Sequence, residues 1–95
     1  MSSETGQLQG DQSPAGLALY YYPTCPYAAM VVRAIEDMGL DIELRNIFAD
    51  PRWRQELIEG GGRRTVPCLR IEHEDTPIEW MYESYDIIDY LKEYY

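Results

Sequence analysis

Alternation between apolar and polar residues divides the chain after residue 16 into a series of predicted strands and helices. Residues Leu17 to Tyr22 are continuously apolar and aromatic, which indicates a buried strand. Apolar residues then recur at helical spacing from Tyr27 to Met38 and predict a helix that ends at Gly39. The alternating stretch 41–45 is typical of a half-buried strand. This order predicts two parallel strands joined by a right-handed crossover.

The second half of the chain predicts a helix, a hairpin and a closing helix. Asp50 is a suitable N-cap and Pro51 a suitable first residue for a helix to about Ile58. The glycine triplet 60–62 is interpreted as a cap and a flexible loop. Strands are predicted from Thr65 to Ile71 and over 78–82, followed by a helix over about 84–91. The predicted fold class is α/β, with the order βαβ-α-ββα and a four-stranded mixed sheet that carries helices on both faces.

Cys25 stands at the predicted junction between the first strand and the first helix. Pro26 suits the first helical position, because proline has no N–H to lose there and its φ is already helical. Cys25 would then lie beside unpaired backbone N–H groups and the positive end of a helix dipole. Such a position favours a thiolate, so a reactive cysteine is the preferred interpretation. A buried structural cysteine is the alternative.

Composition and charge narrow the classes of function. The net charge of -9 argues against nucleic acid or an anionic membrane as the main partner. The 2 cysteines do not suffice for a disulfide-rich secreted module and favour a reducing, cytoplasmic location. No apolar run approaches the length of a membrane span. Residues 1–16 are rich in Ser, Gly and Gln and are predicted to be a disordered leader before a single domain over 17–95.

Three motifs resemble known families and occur in the same order as in them. Cys25-Pro26-Tyr27, together with the Arg-Thr-Val-Pro sequence of residues 64–67, resembles the glutaredoxins of the thioredoxin-like superfamily. The ending Glu-Ser-Tyr-Asp-Ile-Ile-Asp-Tyr-Leu of residues 83–91 is similar to the N-terminal, glutathione-binding domain of glutathione S-transferases. The resemblance covers about residues 17–91 and implies a thioredoxin-like fold.

The resemblance implies a glutathione site in which Cys25 is the nucleophile. Pro67 is expected to follow a cis peptide bond, and Val66 to offer its backbone to glutathione. Glu83 and Ser84 are expected to hold the γ-glutamyl end, since a helix N-terminus with a serine can bind a carboxylate and Glu83 can meet an ammonium. The other expected binding residues are Tyr27, Thr65 and Arg64, which could balance the glycine carboxylate together with Arg63.

The chain departs from dithiol glutaredoxins at Ala28, where those proteins have a second cysteine. The resemblance therefore predicts a monomeric, monothiol, glutathione-dependent oxidoreductase that reduces glutathione mixed disulfides of proteins or small molecules. The alternatives are an iron–sulfur cluster carrier, as a glutathione-bridged dimer, and a glutathione-binding module without catalysis. Cys68 is interpreted as a buried structural cysteine in preference to a resolving thiol. The spacing of Cys25, Cys68 and His73 matches no metal-ligand pattern.

Overall fold

The computed structural model describes residues 16–95. Its strands are β1 (Leu17–Tyr21), β2 (Glu43–Asn46), β3 (Cys68–Ile71) and β4 (Glu79–Met81), and its helices are α1 (Pro26–Asp37), α2 (Pro51–Gly61) and α3 (Ser84–Tyr94). The predicted order βαβ-α-ββα is confirmed. Residues 1–15, most of the predicted leader, lie outside the described residues. Gly16 accepts a hydrogen bond from the backbone N–H of Glu72 at 2.9 Å.

The sheet is four-stranded and mixed, with the order β2-β1-β3-β4. β1 pairs with β2 in parallel, as the strand–helix–strand pattern predicts, and β3 pairs antiparallel with both β1 and β4. Leu19 lies opposite Leu69 in this register, and Tyr20 lies opposite Cys68. Because side chains alternate between the faces of a strand, the two leucines belong to one face of the sheet and Tyr20 and Cys68 to the other.

Each face of the sheet has its own buried cluster, so the prediction of helices on both faces is confirmed. Helices α1 and α3 cover the first face, where their four main core residues pack with β1 and β3: Val31, Ile35, Ile87 and Leu91. Helix α2 covers the second face, where Leu57 packs with Tyr20, Ile47 and Cys68. Complete burial of one aliphatic side chain of this size contributes about 1.5–3 kcal/mol to folding.

A polar network lies at the edge of the second face. Arg45 of β2 donates to the Tyr20 hydroxyl at 2.8 Å and to the Glu56 carboxylate at 2.7 Å, and the Tyr20 hydroxyl also donates to Glu56. The guanidinium carbon of Arg45 lies 4.6 Å from the ring centre of Trp53, within cation–π range. Burial, reinforced by Glu56, raises the pKa of Tyr20 to about 12. The network ties β1 and β2 to α2.

The end of α2 differs from the prediction of a helix to Ile58 and a flexible glycine loop. Gly60 and Gly61 are helical, and only Gly62, with φ of 89°, is the left-handed C-cap. A Cβ atom on Gly60 would lie 2.1 Å from the Trp80 ring, and one on Gly61 would lie 2.0 Å from the Tyr82 hydroxyl. The first two glycines therefore serve the close approach of α2 to the residues of β4 and its end.

Several predicted boundaries were also wrong by a few residues. β2 begins at Glu43 and not at residue 41, although Ile42 just before it is buried. β3 begins at Cys68 and not at residue 65, because the three preceding residues form neither strand nor helix. β4 is shorter than predicted, and α3 continues to Tyr94. The predicted proline starts of α1 and α2 and the Asp50 cap are confirmed.

Candidate active site

Cys25 is the N-cap residue of α1, as the sequence predicts. Its carbonyl oxygen accepts the first bond of the helix, from the Ala29 N–H at 2.9 Å. Pro26 occupies the first turn, and no side chain of the described residues caps the helix. The remaining N–H groups of that turn are therefore free to interact with an anion or a thiolate at this end. Cys25 is nearly buried, with 7% of its surface exposed.

The segment before β3 lies directly beside this thiol. The Val66–Pro67 peptide bond is cis, which confirms the prediction. The Cys25 Sγ atom lies 3.9 Å from the Val66 carbonyl oxygen, within range of a weak S–H···O hydrogen bond. The predicted nucleophile is thus next to the residue whose backbone is expected to bind glutathione.

A cleft of about 400 Å³ opens between Tyr27 of α1, the segment before β3 and the start of α3. We call it the α3 cleft. Six of the residues predicted for the glutathione site line it: Tyr27, Thr65, Val66, Pro67, Glu83 and Ser84. The other lining residues are Arg63, Tyr82 and Tyr85, of which Tyr82 and Tyr85 were not predicted. Cys25 does not line this cleft itself, but its thiol contacts Val66, which does.

The N-terminus of α3 forms one wall of the α3 cleft. Glu83 is the N-cap residue, and Ser84, the first helical residue, is only 7% exposed. No side chain of the described residues caps this helix, so its first N–H groups are available to an anionic ligand. Glu83 also lines the cleft. The arrangement offers donors for a carboxylate and an acceptor for an ammonium.

Arg64 does not line the α3 cleft. It lines a second cleft of about 390 Å³, the Phe48 cleft, with Tyr22, Ile47, Phe48, Arg54 and the shared residues Thr65 and Val66. The Phe48 ring is 68% exposed and stacks on Tyr22, with ring centres 4.4 Å apart. The adjacent residues Arg63 and Arg64 therefore serve different clefts, whereas the sequence suggested a common role for them.

Sequence reasoning also missed Tyr22, Phe48 and Arg54. Tyr22 continues the first apolar run, so the sequence indicated only a strand residue and not its position at the Phe48 cleft. Phe48 lies in the loop after β2, where its N–H donates to the Asn46 side chain at 2.9 Å. A large aromatic residue in a short loop between a strand and a helix was the available signal. Arg54 gave no signal, because an arginine on an exposed helix face is common.

Cys68 lies on the opposite face of the sheet from the α1 and α3 cluster. It is completely buried with Tyr20, Ile47 and Leu57. Burial raises the pKa of the Cys68 thiol to about 12, so the group stays protonated at neutral pH. Both cysteines are free thiols. These observations support the structural interpretation of Cys68.

Two further findings concern the part of the chain that the structure describes. Within residues 16–95, no group of three or more His, Cys, Asp or Glu side chains is placed to hold a metal ion. None of the helices in this range combines the length and the apolar character needed to cross a membrane.

The fold and the position of Cys25 define a thioredoxin-like protein with a cysteine at the start of its first helix. Residues 17–75 match the glutaredoxin family model, and the chain belongs to this family. No curated protein sequence matches the chain.

Two of the solved structures that match this chain show the same fold. Glutathione transferase Omega 3C from Trametes versicolor superimposes with a TM-score of 0.65 at 19% identity, over 98% of this chain and 39% of the transferase. The chain thus spans well under half of that protein. Glutaredoxin from Brucella melitensis superimposes with a TM-score of 0.52 at 22% identity, over 81% of this chain and 77% of that glutaredoxin.

Proposed function

We propose that this protein is a monothiol, glutathione-dependent oxidoreductase that reduces glutathione mixed disulfides through Cys25. The observation that carries the proposal is the contact of the Cys25 thiol with Val66, at the edge of a cleft whose other wall is the uncapped start of α3. Membership of the glutaredoxin family supports thiol–disulfide chemistry at such a cysteine. Glutathione has an ionic group at each end and a cysteine in the middle, which suits this arrangement.

The two clefts suggest how glutathione binds. Its γ-glutamyl carboxylate would meet Ser84 and the first N–H groups of α3, and its ammonium would meet Glu83. Its central cysteine would pair with the backbone of Val66, beside Cys25. Thr65 and Val66 line both clefts, so one extended tripeptide can continue into the Phe48 cleft, where Arg64 would balance the glycine carboxylate. Tyr27 flanks the γ-glutamyl side.

The reaction consists of two thiol–disulfide exchanges. The Cys25 thiolate attacks the glutathione sulfur of the mixed disulfide, forms a disulfide with glutathione and releases the substrate thiolate, which takes up a proton. A second glutathione, as its thiolate, attacks the glutathione sulfur of the adduct. This step restores the Cys25 thiolate and releases oxidised glutathione, so the substrate sulfur is reduced to a thiol and the second glutathione is oxidised to the disulfide.

A monothiol route agrees with the placement of the other candidate thiol. Ala28 is completely buried and leaves α1 without a second cysteine, while Cys68 is completely buried with Tyr20 and Leu57 on the sheet face opposite α1 and α3. The two steps use Cys25 and glutathione and need no residue of a second chain, so a monomer would suffice. The substrates would be glutathionylated proteins or small mixed disulfides, in a reducing compartment such as the cytoplasm that supplies glutathione.

The proposal is tested by glutathione-dependent reduction of a small glutathione mixed disulfide. Wild-type protein should turn over, Cys25→Ser should be inactive, and Cys68→Ser should retain most of the activity. Serine is a poorer core residue than cysteine, so the stability of Cys68→Ser is measured alongside. Glutathione binding by wild type without turnover would overturn the enzyme in favour of a binding module. A well-folded Cys68→Ser protein without activity would overturn the monothiol route.

A further inference from the structure

Tyr82, which follows β4 directly, is bonded through its side chain to the segment between α2 and the cis peptide bond. Its hydroxyl donates to the Arg63 carbonyl oxygen at 2.9 Å and accepts a hydrogen bond from the Arg63 N–H at 3.3 Å. The guanidinium carbon of Arg63 lies 4.2 Å from the centre of the Tyr82 ring, within cation–π range. A single side chain thus holds both the backbone and the charge of Arg63.

The local backbone is arranged to admit this hydroxyl. Gly61 has no side chain, and a Cβ atom there would lie 2.0 Å from the Tyr82 hydroxyl oxygen. Gly62 caps α2 in the left-handed conformation, so Arg63 is the first residue after the helix and its cap. Residues 63–65 form neither helix nor strand. The bonds from Tyr82 therefore order a segment that no regular structure holds.

Tyr82 also precedes the N-cap residue Glu83 directly in the chain. One wall of the α3 cleft contains Arg63, Thr65 and Val66, and another contains the pair Glu83 and Ser84. Since Tyr82 is covalently joined to the second wall and hydrogen-bonded to the first, it sets the distance between them. A ligand that contacts both walls depends on that distance.

We propose that Tyr82 is a positioning residue: its hydroxyl holds the segment 63–66 so that the Val66 backbone and the Arg63 guanidinium face the ligand in the α3 cleft. The identity of that ligand as glutathione rests on the function proposed above. Arg63 would then add a positive charge near the γ-glutamyl carboxylate, whereas Arg64 serves the other cleft.

The test is the variant Tyr82→Phe, which removes the hydroxyl and keeps the ring. We expect the KM for a glutathione mixed disulfide to rise about three- to tenfold, the size of one ordinary hydrogen bond, with kcat within about twofold of wild type. A purely structural role would reduce the active fraction and so lower kcat without changing KM. Tyr94→Phe, at the exposed end of α3, is the matched control and should leave both constants unchanged.

Hydrogen exchange of the ligand-free protein tests the hydrogen bonds between Tyr82 and Arg63 directly. The Arg63 amide loses its acceptor in Tyr82→Phe, so its hydrogen exchange should become faster than in wild type and in Tyr94→Phe. Gly61→Ala should displace the same hydroxyl and raise KM in the wild-type background.

The outcomes separate the two proposals. A wild-type KM in Tyr82→Phe would overturn the positioning role. A wild-type protein that shows no glutathione-dependent turnover would instead overturn the proposed function. In that case Arg63 amide exchange decides the role of Tyr82: faster exchange in Tyr82→Phe supports it, and unchanged exchange overturns it.

Discussion

Replacement of Ser84 by alanine tests the γ-glutamyl end of the α3 cleft. Ser84 is the first residue of α3, is nearly buried and lines the cleft, and no side-chain bond within the described residues caps the helix there. Alanine should therefore remove a donor to the ligand without breaking a cap. We expect the free energy of unfolding to change by less than about 1 kcal/mol, because no core contact or capping bond is lost.

The expected loss of affinity follows from the charge of the ligand group. A hydrogen bond to a charged partner contributes about 1.5–3 kcal/mol, so the Kd for glutathione should rise roughly ten- to a hundredfold. Isothermal titration calorimetry of the reduced protein measures the Kd, and thermal unfolding shows whether the variant is folded. Thr76→Ala removes a hydroxyl from an exposed turn and should leave the Kd unchanged. A folded Ser84→Ala protein with wild-type affinity would remove the start of α3 from the site.

Three further predictions concern stability and thiol chemistry. Gly60→Ala should destabilise the protein by about 1–2 kcal/mol despite the better helix propensity of alanine, because its Cβ would lie 2.1 Å from the Trp80 ring. Chemical denaturation measures the change in stability, and a more stable variant would refute the packing argument. Native protein should be alkylated by iodoacetamide at Cys25 alone, with Cys68 modified only after unfolding, as peptide mapping would show. The pKa of the Cys68 thiol is raised from 9.0 to about 12 in the folded protein, so the thiol of the unfolded chain loses its proton at a lower pH. The free energy of unfolding should therefore fall as pH rises from about 9 to 12. Cys68→Ala should weaken this pH dependence.

Local signals in the sequence predicted the order of the strands and helices and the position of Cys25 at the start of the first helix. Pro26 and Pro51 mark helix starts because of the chemistry of proline itself, and the apolar runs mark buried strands whatever their neighbours. The cis bond at Pro67 came from the family resemblance, since X–Pro bonds in folded proteins are cis in only about 5–6% of cases. The parallel pairing of β1 and β2 followed from a topological rule.

Features that depend on contacts between distant elements were not predictable from local patterns. Gly60 and Gly61 were interpreted as part of a loop, but they are helical and lie close to the side chains of Trp80 and Tyr82. The sequence suggested a common charge-balancing role for Arg63 and Arg64, but Arg63 is hydrogen-bonded to Tyr82 and the two arginines line different clefts. The role of Tyr82 requires β4 to lie beside the end of α2, which no spacing along the chain reveals.

The most direct test of Cys25 as a monothiol nucleophile is the mass of the protein after treatment with oxidised glutathione. We expect one added glutathione, located on Cys25 by peptide mapping, and its complete removal by reduced glutathione. Cys68→Ser should give the same adduct, and Cys25→Ser should give none. A wild-type mass two hydrogens below the reduced protein, without glutathione, would indicate a Cys25–Cys68 disulfide and contradict this mechanism. An adduct on Cys68 alone would contradict it equally.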